Sequence, residues 1–270
     1  MKTNYLKLLL CFTIAITSSF TSYSQEIKPK QLLKKVDIAL NNIETLVYKI
    51  NRKDKTFTAK PTDTLYRVAI CSLYTPDREI KKFVIDVFRE DNTLQYFKCD
   101  GTYLASLYYK KDSLDTSKKI RIEYGWNPKY NHALSMTSDY NLRDYFESKR
   151  AFRQYNSLWA KLFLIKEIVV SEGTFLDTPV YILTAYTKNL EKRRNYIDYM
   201  EATHYIRKSD FLPIGYKNTS KLDNMIEYEY YEIEYLKINS KLPLESFEVD
   251  INVREIKPRE MYDRIKEYEL

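Results

Sequence analysis

The chain has 270 residues, 44% hydrophobic and 30% charged, with a formal net charge of +7. Its basic residues are interleaved with acid, as at Lys110-Lys111-Asp112 and Glu191-Lys192-Arg193-Arg194. This excludes the dense basic stripe of a nucleic-acid binder, and no nucleic-acid partner is expected. The anomaly is 26 tyrosines against 4 glycines: tyrosine suits a half-buried pleated surface, and so few glycines cannot build the loops that cradle phosphates. Either a sheet with wet edges or an apolar groove rimmed with hydroxyls would use tyrosine this way, and composition does not choose between them.

Residues 1–24 have the three parts of a secretory leader. Lys2 and Lys7 are basic, Leu8 through Ile16 are mostly apolar, and Ser22-Tyr23-Ser24 offers small residues before Gln25. The run is shorter than the roughly 20 apolar residues of a membrane span. Cleavage near Ser24/Gln25, with periplasmic localisation, is the expectation, and loss of the two lysines leaves +5 of the +7. Cys11 lies inside the apolar run after the bulky Leu10, which argues against lipidation there. A single domain is expected over 25–257, with 258–270 as a tail.

After Pro29, Leu32, Leu33, Val36, Ala39, Leu40 and Ile43 recur at helical spacing, and Leu46, Tyr48 and Ile50 then alternate. This predicts an amphipathic helix running directly into a first strand. Strands are predicted over 65–74, 82–89, 94–99, 103–109 and 118–124. Thr75-Pro76-Asp77, Asp91-Asn92 and Asp100-Gly101 divide the first four, and connections this short imply an antiparallel meander.

A long helix is predicted from Asn141 through Tyr145, Phe152 and Trp159 to the apolar end at 158–165, either packed over the open face of the sheet or acting as a lid. A hairpin then follows, with its turn placed at Glu172-Gly173-Thr174. Next comes a second hairpin, 196–206 and 214–217, about Ser209-Asp210-Phe211-Leu212-Pro213, where Asp can bond its own backbone and Pro presets φ. Ile226, Tyr228 and Tyr230 alternate with glutamates, and Tyr231, Ile233 and Tyr235 continue in the opposite phase. That shift predicts a β-bulge at Tyr230-Tyr231. Phe247, Val249 and Ile251 suggest a final strand.

The sequence offers no catalytic apparatus. His132 and His204 have no Cys, His or Asp partner at metal-ligand spacing, and neither a Walker loop nor a Gly-x-Ser-x-Gly or His-Glu-x-x-His motif occurs. No cofactor, metal or enzymatic activity is expected. Cys71 and Cys99 fall on meander strands separated by a third, about 9–10 Å apart, beyond the roughly 7 Å reach of a disulfide. Two buried thiols are expected.

The chain resembles periplasmic proteins of the LolA-like class, the outer-membrane lipoprotein carriers. The likeness lies in the leader followed by a helix-to-strand segment from Pro29 to Ile50, the hairpin CDGTYLASLYY, the pattern THYIRKSDFLPIGY and the late Phe247-Glu-Val segment. It is also similar to the N-terminal region of exported TlpA-like proteins from Bacteroidetes-type bacteria, although no thioredoxin Cys-x-x-Cys follows here. The resemblance implies an α+β fold: a strongly curved antiparallel sheet, an incomplete β-barrel, with an N-terminal and a central helix covering the concave face. It further implies a non-enzymatic carrier or sensor of lipid acyl chains or lipoproteins, with peripheral contact to a membrane. Phe83, Ile85, Val87, Tyr96 and Leu107, with Trp159 and Phe163 above them, are the expected lining. The alternative is an accessory module of the envelope that docks a protein partner without a lipid ligand.

Overall fold

The computed structural model describes residues 27–56, 64–89, 93–101, 103–110, 120–125, 137, 139–140, 142–146, 165–187, 199–222 and 225–249. The leader, the tail at 258–270, His132, and Trp159 with Phe163 lie outside them. Helix α1 (Pro29–Asn41) leads into β1 (Thr45–Lys55) across three residues, as the change of period predicts. Gln31 supports the helix start by accepting the Lys28 amide at 3.1 Å, and Pro29 loses nothing in a first turn whose amides have no helical partner.

The meander follows as β2 (Leu65–Tyr74), β3 (Lys82–Arg89), β4 (Thr93–Cys99), β5 (Tyr103–Lys110) and β6 (Ile120–Gly125). After the short helix α2 (Arg143–Phe146) come β7 (Ile165–Phe175), β8 (Thr178–Thr187), β9 (Tyr199–Arg207), β10 (Pro213–Leu222) and β11 (Met225–Ile238). All eleven form one antiparallel sheet in the order β6-β5-β4-β3-β2-β1-β11-β10-β9-β8-β7. Pairing of β1 with β11 joins the two meanders, and among the described residues the sheet ends at β6 and β7 without closing.

Alternation assigns the faces. On β1, Leu46, Tyr48, Ile50 and Arg52 are buried, and their partners across the sheet include Ala69, Cys71 and Ile233. Leu32, Leu33, Val36 and Leu40 of α1 lie in the same core cluster, so α1 covers this inner face. The helix touches both β7 and the 3-10 turn Pro76–Arg78 between β2 and β3. In a flat sheet β2 and β7 would stand about 29 Å apart, whereas a 13-residue helix is only about 20 Å long. The sheet therefore bends around its helix, and the inner face is concave.

Three expectations are corrected. The β7–β8 turn is Leu176-Asp177, both residues at positive φ (48° and 58°), a two-residue hairpin loop. Gly173 sits inside β7 opposite Val180, where a Cβ would come within 2.8 Å of Ile182 Cδ1. That glycine answers to close packing and leaves the turn to Asp177, which tolerates the left-handed region.

No bulge occurs at Tyr230-Tyr231, since both pair in unbroken register with β10 and β1. The irregularity falls instead opposite Val47/Tyr48, where β11 passes from Lys237 to Tyr235. Because the phase holds, Glu229 shares the inner row with Tyr231 and Ile233, while Tyr230 and Glu232 face outward. Finally, Leu244–Phe247 is a 3-10 turn after Pro243, with Phe247 fully buried beside β3, in place of the start of the predicted strand.

The turn between β9 and β10 agrees with its sequence. Asp210 Oδ1 accepts the Leu212 amide at 3.2 Å, and its carboxylate takes the Arg207 guanidinium at 2.9 and 2.6 Å. Cys71 on β2 and Cys99 on β4 are free and buried, with β3 between them as expected.

Candidate functional site

The inner face divides into an apolar half and a polar row. Phe83, Ile85 and Val87 of β3 are at most 1% exposed and belong to the main core, beside Phe97 and Cys99 of β4 and Leu104 of β5. Tyr96 and Leu107 do not share that row. They pair with each other, and Tyr96 pairs with Asp86, on the positions alternate to Phe97 and Cys99. The period of two in a strand makes a single lining from all five residues impossible. Only the Phe83-Ile85-Val87 part of the expected lining is one described surface, and Trp159 and Phe163 fall outside the described residues.

The polar row crosses the sheet in register: Arg67 on β2, Arg52 on β1, Tyr231 on β11, Tyr216 on β10 and His204 on β9. Arg52, only 8% exposed, bonds Glu229 at 2.9 Å, Asp54 at 3.3 Å and Asp139 at 3.3 Å. Arg67 bonds the Asp54 carboxylate, and Asp139 at 3.4 Å. Burial lowers the Arg67 pKa, but the carboxylate of Asp54, with Tyr140 and Asp139, more than reverses this and raises it. These charges are compensated in place, as the interior demands. Farther along, the rings of Tyr231, Tyr216 and His204 follow one another at 5.0 and 4.7 Å between centroids. Burial drives His204 from its ordinary 6.5 down to about 3, so it is a neutral imidazole, and its Nδ1 lies 2.9 Å from the Tyr145 hydroxyl.

A short stretch of the chain lies along this row on the concave side. Tyr140, Leu142, Tyr145 and Phe146 are all buried in the core. Side chains of the sheet and its turns hold the backbone carbonyls. Tyr48 Oη donates to the Tyr140 carbonyl, Arg52 Nη1 to that of Asp139 at 3.2 Å, and Arg78 Nε and Nη2 to that of Tyr145 at 3.1 and 2.9 Å. Arg78 also reaches Asp37 at 2.9 Å and Asn41 at 3.2 Å on α1. It thus ties the helix, the inserted stretch and the β2–β3 turn together. Sequence reasoning missed Arg52, Arg67 and Arg78 as interior groups, and Glu229 as a half-buried member of the inner face. The strict alternation of β1 past Ile50, which puts Arg52 in the buried phase, was the signal that could have found the first of them.

Among the described residues, no group of three or more His, Cys, Asp or Glu side chains is placed to hold a metal ion. No described helix is long and apolar enough to cross a membrane. The inner face thus joins an apolar surface on β3 to a row of arginines compensated by carboxylates.

No protein-family model and no curated protein sequence matches the chain. Among solved structures it is similar to lipoprotein LppX of Mycobacterium tuberculosis, at 10% identity and TM-score 0.35, over 80% of this chain and 100% of that one. A DUF1329 family protein from Desulfovibrio piger matches at 12% identity and TM-score 0.32, over 81% and 96% of the two chains. MucB, in its complex with MucA, matches at 7% identity and TM-score 0.39, over 85% and 62%. At such scores these likenesses carry no argument about ligand or partner, and the open antiparallel sheet with its covering helix rests on the strand register itself.

Proposed function

We propose that the protein is an exported, non-enzymatic binding protein of the cell envelope, which takes an acyl chain or the acylated end of a lipoprotein against its concave face. The observation that carries this reading is the inner surface itself. One bent sheet buries an apolar row, Phe83-Ile85-Val87, in the same core as the helix α1 and the short stretch with Tyr140, Tyr145 and Phe146, which is held by a few side-chain bonds. Tyr145 and Phe146 occupy the space a ligand would take, so entry exchanges their rings for methylenes, each worth about 0.8 kcal/mol when withdrawn from water. The Arg78 bonds to the Tyr145 carbonyl are the latch in that exchange. The LolA-like resemblance of the sequence and its leader point to the same carrier role in the periplasm.

Native mass spectrometry of the purified protein, with displacement of a fluorescent fatty acid, tests the reading. A co-purifying lipid mass, or saturable uptake of the probe that Arg78→Lys strengthens, supports it. A protein that carries no lipid and ignores the probe refutes it.

A second reading, an accessory module that docks a protein, is favoured by the eleven-residue β7. Among the described residues β7 pairs only with β8, and Val169 is 38% exposed on it. An edge of this kind can accept a strand from a partner. Val169→Pro would abolish such docking and leave uptake of the acyl probe intact.

A further inference from the structure

The outer face carries a second hollow. Its volume is about 500 Å3, and Asn51, Lys53, Tyr66, Val68, Phe88 and Glu232 line it, together with Arg52 and Arg67, whose guanidinium groups pair with the carboxylates of the inner row. Register places these residues in two adjacent rows across four strands: Phe88, Val68, Asn51 and Glu232 in one, and Tyr66 and Lys53, followed by Tyr230, in the other. Two of the aromatics are displayed, Phe88 at 47% and Tyr66 at 41% exposure, whereas Val87 beside Phe88 is fully buried on the other face. The polar groups are held in place. The Glu232 carboxylate accepts Asn51 Nδ2 at 3.2 Å on one oxygen and the Tyr230 hydroxyl at 2.9 Å on the other. Lys53 Nζ sits between two rings, 5.5 Å from the centroid of Tyr66 and 5.8 Å from that of Tyr230.

We propose that this hollow is a binding site for a neutral saccharide, with a pyranose ring laid on the Tyr66–Phe88 shelf and its hydroxyls on Glu232, Asn51 and Lys53. The chemistry selects that class. A sugar ring has an apolar C–H face suited to an aromatic ring and a rim of vicinal hydroxyls suited to a carboxylate, each of whose oxygens keeps a second lone pair here. An acyl chain would strip water from an ammonium and a carboxylate and return nothing for it. A phosphate or nucleic acid would meet Glu232 as well as Lys53, and Arg52 and Arg67 at the wall are already paired with Asp54, Asp139 and Glu229. The volume falls within the about 300–1,000 Å3 of small-ligand sites, and strands hold the contacting groups more firmly than loops would.

Calorimetric titration of the protein with cellobiose, maltose and N,N′-diacetylchitobiose tests the site. At least one disaccharide is expected to bind with a Kd between about 10 μM and 1 mM. Phe88→Ala, Tyr66→Ala and Glu232→Gln should each weaken it about tenfold or more, the equivalent of losing one charged hydrogen bond or one stacked ring. Ile38→Ser, on the exposed side of α1 over the opposite face, should change nothing. The three site variants alter exposed or rim groups, and an unchanged circular dichroism spectrum verifies their folding. Silence towards all three sugars at about 10 mM, weak to the limit of useful affinity, overturns the proposal. So does full binding by Phe88→Ala, or displacement by the sugar of an acyl probe from the concave face. Failure of the acyl probe to bind at all would bear on the concave face alone.

Discussion

Replacing Arg78 by alanine is expected to destabilise the protein by about 3–5 kcal/mol, the usual cost of breaking a buried ion pair from one side. The side chain is 2% exposed and bonds the Tyr145 carbonyl twice and Asp37 and Asn41 once each. Withdrawing two charged donors from a carbonyl in the interior costs about 1–3 kcal/mol. Asp37 is 21% exposed and partly rehydrates, so its share is nearer 1 kcal/mol, and the void left by the stem adds about 1 more. Arg78 has φ +62°, and alanine keeps the Cβ, so the backbone cost is the same before and after. For a domain of this size each kcal/mol lowers Tm by about 2–4 °C, and a drop of about 10 °C is expected in calorimetry. Asp37→Asn alone should cost about 1 kcal/mol or less, because the carbonyl bonds survive it. If Arg78→Ala shifts Tm by less than about 2 °C, the guanidinium does not join the helix, the turn and the inserted stretch in solution, and the latch described above goes with it.

Three further outcomes follow from the interior. His204 titrates near 6.5 unfolded and about 3 folded, so below pH 6.5 the unfolded state binds the extra proton. Its stabilising contribution is whole above pH 6.5 and falls by up to about 1.4 kcal/mol per pH unit towards pH 3. Denaturant midpoints at pH 7 and 5 should therefore diverge in the native protein and draw together in His204→Gln. Gly215→Ala should cost about 1–3 kcal/mol by urea unfolding, because a Cβ there would lie 2.5 Å from the Phe175 ring, which stacks on Tyr205 at 4.0 Å. An unchanged midpoint would mean that this stack is not formed. Burial pushes the Cys99 thiol up to about 12 and raises Cys71 further, so neither is a nucleophile at neutral pH. Ellman's reagent should find both only after denaturation, and rapid labelling of the folded protein would contradict their burial.

Local chemistry and period settled much of this chain. The change of spacing after Ile43 marks where α1 yields to β1, because a helix and a strand place apolar residues at incompatible intervals. Asp-Gly at 100–101 marks a reversal because the chain needs φ +96° there and only glycine takes it cheaply. Parity across strands was a different matter. Which face receives Tyr96, Leu107 or Glu229 depends on register, and register depends on partners far away in sequence, such as the pairing of β1 with β11. Burial of Arg52, Arg67 and Arg78 was equally hidden, since an arginine enters a core only where distant carboxylates and carbonyls meet it. Sequence alone thus placed α1, most of the strands and their antiparallel order. The tertiary structure alone decided which side of each strand faces inward, and so which residues can act together.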